Sequence, residues 1–236
     1  MTDCEIAYVK VFAPPSEGDC KKDNSCSHNT DAVDIHGSPF YVHNVNFTTG
    51  DDNIASHAND TIVEDSYFGS GHGASIGSLC NDYLTNITFR NITFHGTTTG
   101  ARIKTIANCT GHVYNVVYED LTMYNVGQAI SVSQHYHGDG HSTFFIERVL
   151  FKNIQVMIEI SSEKFERGDD DAMVEFDCDN HYDGKANCHV QLENLLFLMG
   201  STEKKLGYSS TRMTCKGTTG TAKDLKGINN CLAVKK

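Results

Sequence analysis

Three aspartates, one histidine and two basic residues sit in four short clusters: Asn29-Thr30-Asp31, Gly50-Asp51-Asp52, Gly71-His72-Gly73 and Arg102-Ile103-Lys104. Asp31 and Asp51 are 20 positions apart, Asp52 and His72 another 20, and His72 and Arg102 30. A chain that coils with a period of about 20 to 30 residues stacks such clusters on adjacent turns, facing one way. Carboxylates crowded there cannot all ionise cheaply, so one keeps its proton well above the ordinary value of about 3.9. That carboxyl is a general acid, and an ionised neighbour activates water. Hydrolysis of a glycosidic bond needs such a pair. Gly71 and Gly73 permit positive φ beside His72 and leave room for a sugar ring. Arg102 and Lys104, at i and i+2, share one strand face. Two cations on one face can grip a sugar carboxylate, Arg in bidentate fashion. Taken singly, Gly-Asp-Asp is usually a turn and Arg-Ile-Lys a solvated strand. The order and spacing of all four carry the signal.

The elements that must position these clusters are short β-branched or aromatic runs beginning or ending in Asn. They include Val45-Asn46-Phe47, Ile87 to Phe94, Val116 to Met123, Val149 to Val156 and Leu192 to Phe197. Apolar and polar residues alternate with the strand period of two. Aligning Phe47, Phe68, Phe94, Met123, Val156 and Phe197 gives steps that lengthen toward the C-terminus, which places inserted loops between strands. Strands recurring at this period predict an all-β, right-handed parallel β-helix, a single-stranded solenoid. Coils stacked about 4.8 Å apart complete the ladder and a continuous core. The inward Asn residues are expected to stack, their amides bonded along a column. A β-sandwich would show turns at about every 8 to 12 residues instead.

Composition fits this reading. Glycine is frequent (20), proline rare (3) and tryptophan absent. The net charge of −11 argues against nucleic acid as a partner. No stretch approaches the roughly 18 apolar residues of a membrane helix. Nine cysteines and the acceptor sequences at Asn46, Asn59, Asn86, Asn91 and Asn108 indicate a secreted, extracellular glycoprotein. The polar start, Met1-Thr2-Asp3-Cys4, is not a signal peptide. The chain is therefore expected to be N-terminally incomplete. Three local disulfides are expected, Cys178 with Cys188, Cys215 with Cys231 and Cys20 with Cys26, the second pinning a Lys- and Thr-rich tail over 201–236. Cysteine and histidine spacing gives no metal site.

The constellation resembles family 28 glycoside hydrolases, the polygalacturonases. Their hallmark is Asn-Thr-Asp, Gln/Gly-Asp-Asp, Gly-His-Gly and Arg-Ile-Lys in that order. It is met here by Asn29-Thr30-Asp31, Gly50-Asp51-Asp52, Gly71-His72-Gly73 and Arg102-Ile103-Lys104, with further similarity through Val126 to Tyr136. The resemblance implies a monomeric enzyme that cleaves α-1,4-galacturonosidic bonds of polygalacturonate in pectin with inversion, without cofactor or metal. By position, Asp51 would protonate the leaving oxygen, Asp31 and Asp52 would hold and deprotonate water, and His72 would support the acid. Arg102 and Lys104 would bind the galacturonate carboxylate, Tyr136 would line the groove, and Asn29 would be a polar neighbour.

The chain departs from the pattern in three places. Asn53 and Phe68 stand where many relatives carry a disulfide pair, and Gln128 where many carry Tyr. Only 28 residues precede Asn29, where relatives carry well over a hundred, so the N-terminal cap and first coils are expected to be lacking. A rhamnogalacturonan or xylogalacturonan hydrolase, and a truncated, inactive pectin-binding paralogue, are the alternatives.

Overall fold

The protein is described by a computed structural model over residues 4–13, 29–158, 172–199 and 212–232. It is a parallel β-helix. The first coils comprise β1 (Cys4–Ala7), β2 (Lys10–Phe12), β3 (Asp34–Gly37), β4 (Phe40–His43) and β5 (Asn46–Thr48). Next come β6 (Ile54–Ala58), β7 (Thr61–Phe68), β8 (Ala74–Leu79), β9 (Tyr83–His95), β10 (Thr99–Ile106) and β11 (Thr110–Tyr124). The last coils hold β12 (Gln128–Tyr136), β13 (Thr143–Ile158), β14 (Val174–Asp177), β15 (Cys188–Met199), β16 (Met213–Lys216) and β17 (Thr218–Lys226).

The coil alternates between two parallel sheets. One has seven strands in the order β16-β14-β12-β10-β8-β6-β3, the other ten, running from β1 through β4, β7, β9, β11, β13 and β15 to β17. The repeat read from alternation is the physical register. Phe47 pairs with Phe68, Phe68 with Phe94, Phe94 with Met123, Met123 with Val156, and Val156 with Phe197. These side chains are buried between the sheets, where parallel in-register pairing puts like beside like. A second buried column stacks Phe89 on Tyr118 at 4.8 Å and Tyr118 on Phe151 at 5.3 Å. Burial of such rings is the main stabilising term, about 25 cal/mol per Å² removed from water.

The stacked amides exist, but not in the core. Asp65, Asn91, Asp120, Asn153 and Asn194 all adopt φ near +50°, and they bend each long strand of the larger sheet at one corner. Asn91 donates to Asp65, Asn153 to Asp120 and Asn194 to Asn153, at 2.6–2.9 Å. A second outward column runs Asn115 to Asn86 to Asp60. Asn and Asp tolerate the left-handed region best among residues with a Cβ, so the bend, rather than burial, selects them.

Two expected disulfides form, Cys178–Cys188 and Cys215–Cys231. Cys20 and Cys26 lie outside the described residues. A further bridge, Cys80–Cys109, joins the turns after β8 and β10 across a sequence separation of 29. The strands β16 and β17 extend both sheets by one more rung, so the described part of the C-terminal segment continues the solenoid. Among the described residues no helix is long and apolar enough to cross a membrane.

Candidate active site

The outer face of the seven-stranded sheet carries the predicted cations. Alternation sends Ile103 into the core and turns Arg102 and Lys104 outward. From inside, the buried Tyr118 hydroxyl donates to the Arg102 carbonyl at 2.9 Å and anchors this stretch of β10. In register with Arg102 lie Ser75 and Ser131, then Glu175 beyond Ser131. In register with Lys104 lie Ser133 and Asp177.

The carboxylates come from the turns that lead into β3 and β6. The Ala32 N–H donates to the Asp52 carbonyl (3.1 Å), and the Gly50 N–H donates to Thr30 Oγ1 (2.9 Å). These bonds hold the Asp31 turn on the Asp51-Asp52 turn. The next turn binds in the same way, with the His72 N–H donating to the Asp51 carbonyl at 2.8 Å. Gly71 and Gly73 have φ of +137° and +85°. They do not open space for a sugar. A Cβ on Gly73 would lie 2.1 Å from the Thr99 carbonyl, and one on Gly71 2.6 Å from the Asp51 carbonyl. The glycines let three coils close up around His72.

Two side-chain contacts result. His72 Nδ1 lies 2.8 Å from Asp51 Oδ1, which also accepts the Asp52 N–H. Asp52 is buried; its Oδ2 receives Lys104 Nζ at 2.6 Å and its Oδ1 receives Ser75 Oγ at 2.7 Å. Arg102 Nη1 stands 4.0 Å from the same Oδ1. Tyr136 closes this end, its ring 5.2 Å from the Arg102 guanidinium and 5.0 Å from Lys104 Nζ. Ser75 is a participant that sequence reading missed. A lone Ser on a strand gives no signal until its register partner is known.

The charge distribution separates the three aspartates. Partial burial, together with the charges of Asp51, Asp52 and Asp34, pushes the Asp31 carboxyl up to about 7. Crowding and burial thus act upward on Asp31. For Asp51, burial works upward, but the hydrogen bond and charge of His72 outweigh it and hold the carboxyl below its ordinary value. Asn29 is exposed with φ +50°, and Thr30 makes the contact between turns.

Beside the cluster runs a groove of about 420 Å³, lined in part by His72, Arg102, Lys104, Gln128, His135 and Tyr136. Gln128 lines it through an amide held by the Ala172 carbonyl (3.2 Å) and Glu175 (3.1 Å). His135 is held by Asp177 (2.7 Å) and Asp179 (3.2 Å). Among the described residues, Asp51, Asp52 and His72 alone bring three potential metal-ligating atoms within 4.8 Å of one another. Asp52 is already committed to Lys104, and Asp51 to His72.

The profile of the family described as glycosyl hydrolases family 28 matches residues 3–218. A probable endopolygalacturonase D of Aspergillus niger is 36% identical over 145 residues, which covers 55% of this chain and 28% of that protein. The polygalacturonase QRT2 of Arabidopsis thaliana is 34% identical over 142 residues, covering 55% of this chain and 32% of that one. The chain thus spans about a third of the length of the curated relatives it matches. A polygalacturonase from Erwinia carotovora superposes with a TM-score of 0.52 at 24% identity, over 80% of this chain and 43% of its own, and shares the fold. A profile match over most of its length, joined to the four stacked clusters, shows that the chain belongs to glycosyl hydrolase family 28.

Proposed function

We propose that this chain hydrolyses α-1,4-galacturonosidic bonds of polygalacturonate with inversion, as a secreted enzyme. The observation that carries the reading is the meeting of two differently ionised carboxyls with an imidazole at the mouth of a cation-lined groove. Asp51 protonates the leaving oxygen with the proton it shares with His72 across 2.8 Å. Asp31 and Asp52 hold the attacking water, and Asp52 takes its proton. As that negative charge is neutralised, Lys104 on Asp52 is released in part toward the sugar carboxylate, which Arg102 already faces. An ammonium has three donors, so Lys104 can serve both groups.

A second reading exchanges the acid and base, because Asp31 is the carboxyl that burial and crowding push up, to about 7. Substrates with good leaving groups separate the two, since they need no general acid. With a 4-nitrophenyl galacturonide, Asp51→Asn should retain turnover that it loses on polygalacturonate, while Asp31→Asn loses both. The reverse pattern would assign the acid to Asp31. Absence of turnover by the unaltered chain on both substrates would sink the hydrolase reading and leave pectin binding without cleavage.

A further inference from the structure

Asn53 follows the Asp51-Asp52 pair, is fully buried, and ties its own coil at Phe47 and Thr49 to the turn that carries His72. Its Nδ2 donates toward the Phe47 carbonyl (3.1 Å), the Ser70 carbonyl (3.1 Å) and Thr49 Oγ1 (3.2 Å). Its Oδ1 accepts the Gly73 N–H at 3.0 Å, and its own N–H donates to the Gly73 carbonyl at 3.0 Å. Ser70 and Gly73 bracket His72, so one side chain holds both flanks of that turn. Thr49 Oγ1 in turn donates to the Asp51 carbonyl at 2.7 Å. The regular pairing of β6 with β8 begins only at Ile54 and Ala74, beyond both turns.

We propose that Asn53 is the positioning residue for the Asp51–His72 pair, clamping the histidine turn onto the aspartate turn so that the 2.8 Å contact is held. The site needs a group that donates to carbonyls on one side and accepts an N–H on the other. A carboxamide offers two donor hydrogens and a separate acceptor oxygen, where a hydroxyl has a single hydrogen, and of the two carboxamides Asn has the shorter reach. A carboxylate at this position would face two carbonyls with no hydrogen to offer. A contact that shares a proton weakens steeply with small displacements, so this clamp acts on chemistry as well as on folding. The proposal rests on the hydrolase reading for its effect on rate, but the contact itself does not.

The test compares Asn53→Ala with Asn187→Ala. Asn187 is an equally buried amide, bonded to the Ser142 carbonyl at 3.0 Å and outside the catalytic cluster. Thermal unfolding, kcat and KM on polygalacturonate, and a ¹³C-carboxyl NMR titration of Asp51 are measured for both. Asn53→Ala gives up more hydrogen bonds and should lose at least as much thermal stability as Asn187→Ala. Asn53→Ala alone should lower kcat at least tenfold with KM within twofold, and should move the Asp51 midpoint upward as His72 drifts away. An unmoved Asp51 midpoint, with kcat no lower than in Asn187→Ala, overturns the proposal. If the unaltered chain does not turn over polygalacturonate, the hydrolase reading fails and the titration still decides the positioning role. If Asn53→Ala does not fold, Asn53→Ser is used. It keeps one short donor that cannot reach both flanks, and it should give the same upward midpoint.

Discussion

Lys104 Nζ lies 2.6 Å from Asp52 Oδ2, with both side chains all but removed from solvent. The first role of this lysine in the unliganded protein is to neutralise a buried carboxylate. Removing one partner of a buried pair leaves the other charge uncompensated, at about 3–5 kcal/mol. Lys104→Ala should therefore lower the unfolding midpoint sharply, and Lys104→Met with Asp52→Asn should recover most of the loss. Urea denaturation of the two variants and the unaltered chain reads this. Equal stability of Lys104→Ala and the unaltered chain would show that the pair contributes nothing.

Arg102 is less committed, 4.0 Å from Asp52 and stacked near Tyr136. A charged hydrogen bond to a ligand contributes about 1.5–3 kcal/mol. Arg102→Ala should raise KM for acidic oligomers roughly 10- to 100-fold by that amount, and that for methyl-esterified oligomers much less. Equal losses on both would place the arginine elsewhere than on the sugar carboxylate.

Asp31 makes stability depend on pH. Its folded value, about 7, lies above the unfolded 3.8. The folded state therefore binds the proton more tightly between these values. Its stabilisation is complete below pH 3.8 and is lost as pH rises through 7. Because the group is only partly buried, the effect is discounted to on the order of 1 kcal/mol. Asp31→Asn should unfold at a temperature that changes less between pH 5 and pH 8 than that of the unaltered chain, measured by calorimetry. A parallel pair of curves would refute the raised value.

The Cys80–Cys109 bridge ties successive turns beside the strand that presents Arg102 and Lys104. A bridge closing a loop of this size contributes about 2–4 kcal/mol. Replacing both cysteines with serine should reduce stability by that order, read as a lower urea midpoint with a steeper slope, because the uncross-linked unfolded chain exposes more surface.

How far these features can be read in the sequence depends on the distance over which each is determined. Alternation is local, and the Phe47 to Phe197 series matched the register residue for residue. The aspartate and histidine clusters lie in successive turns of the coil, and Arg102 and Lys104 reach them from the strand just beyond, in register with Ser75 and Ser133. The Asn columns were legible as columns but misplaced, since period-two alternation cannot mark a left-handed corner that reverses the apparent phase. Cys80 and Cys109 were passed over because their proximity comes from stacking, while a short enclosed loop such as Cys178 to Cys188 announces itself. Ser75, Ser131 and Ser133 were invisible for the same reason. A serine on a strand looks solvated until the neighbouring rung supplies Asp52 or a groove.

The left-handed corners divide the coil into a part that cannot change length and a part that can. Along the larger sheet each rung from β9 to β13 pairs residue for residue, and one added residue would push an Asn or Asp off its corner. The extra residues of later coils lie instead in turns flanking the seven-stranded sheet, as at 137–142 and 178–187. Insertions and deletions are thus channelled to the borders of the sheet that carries the groove. A lineage can reshape the groove's rim by lengthening these turns, while the corner columns keep every rung in phase.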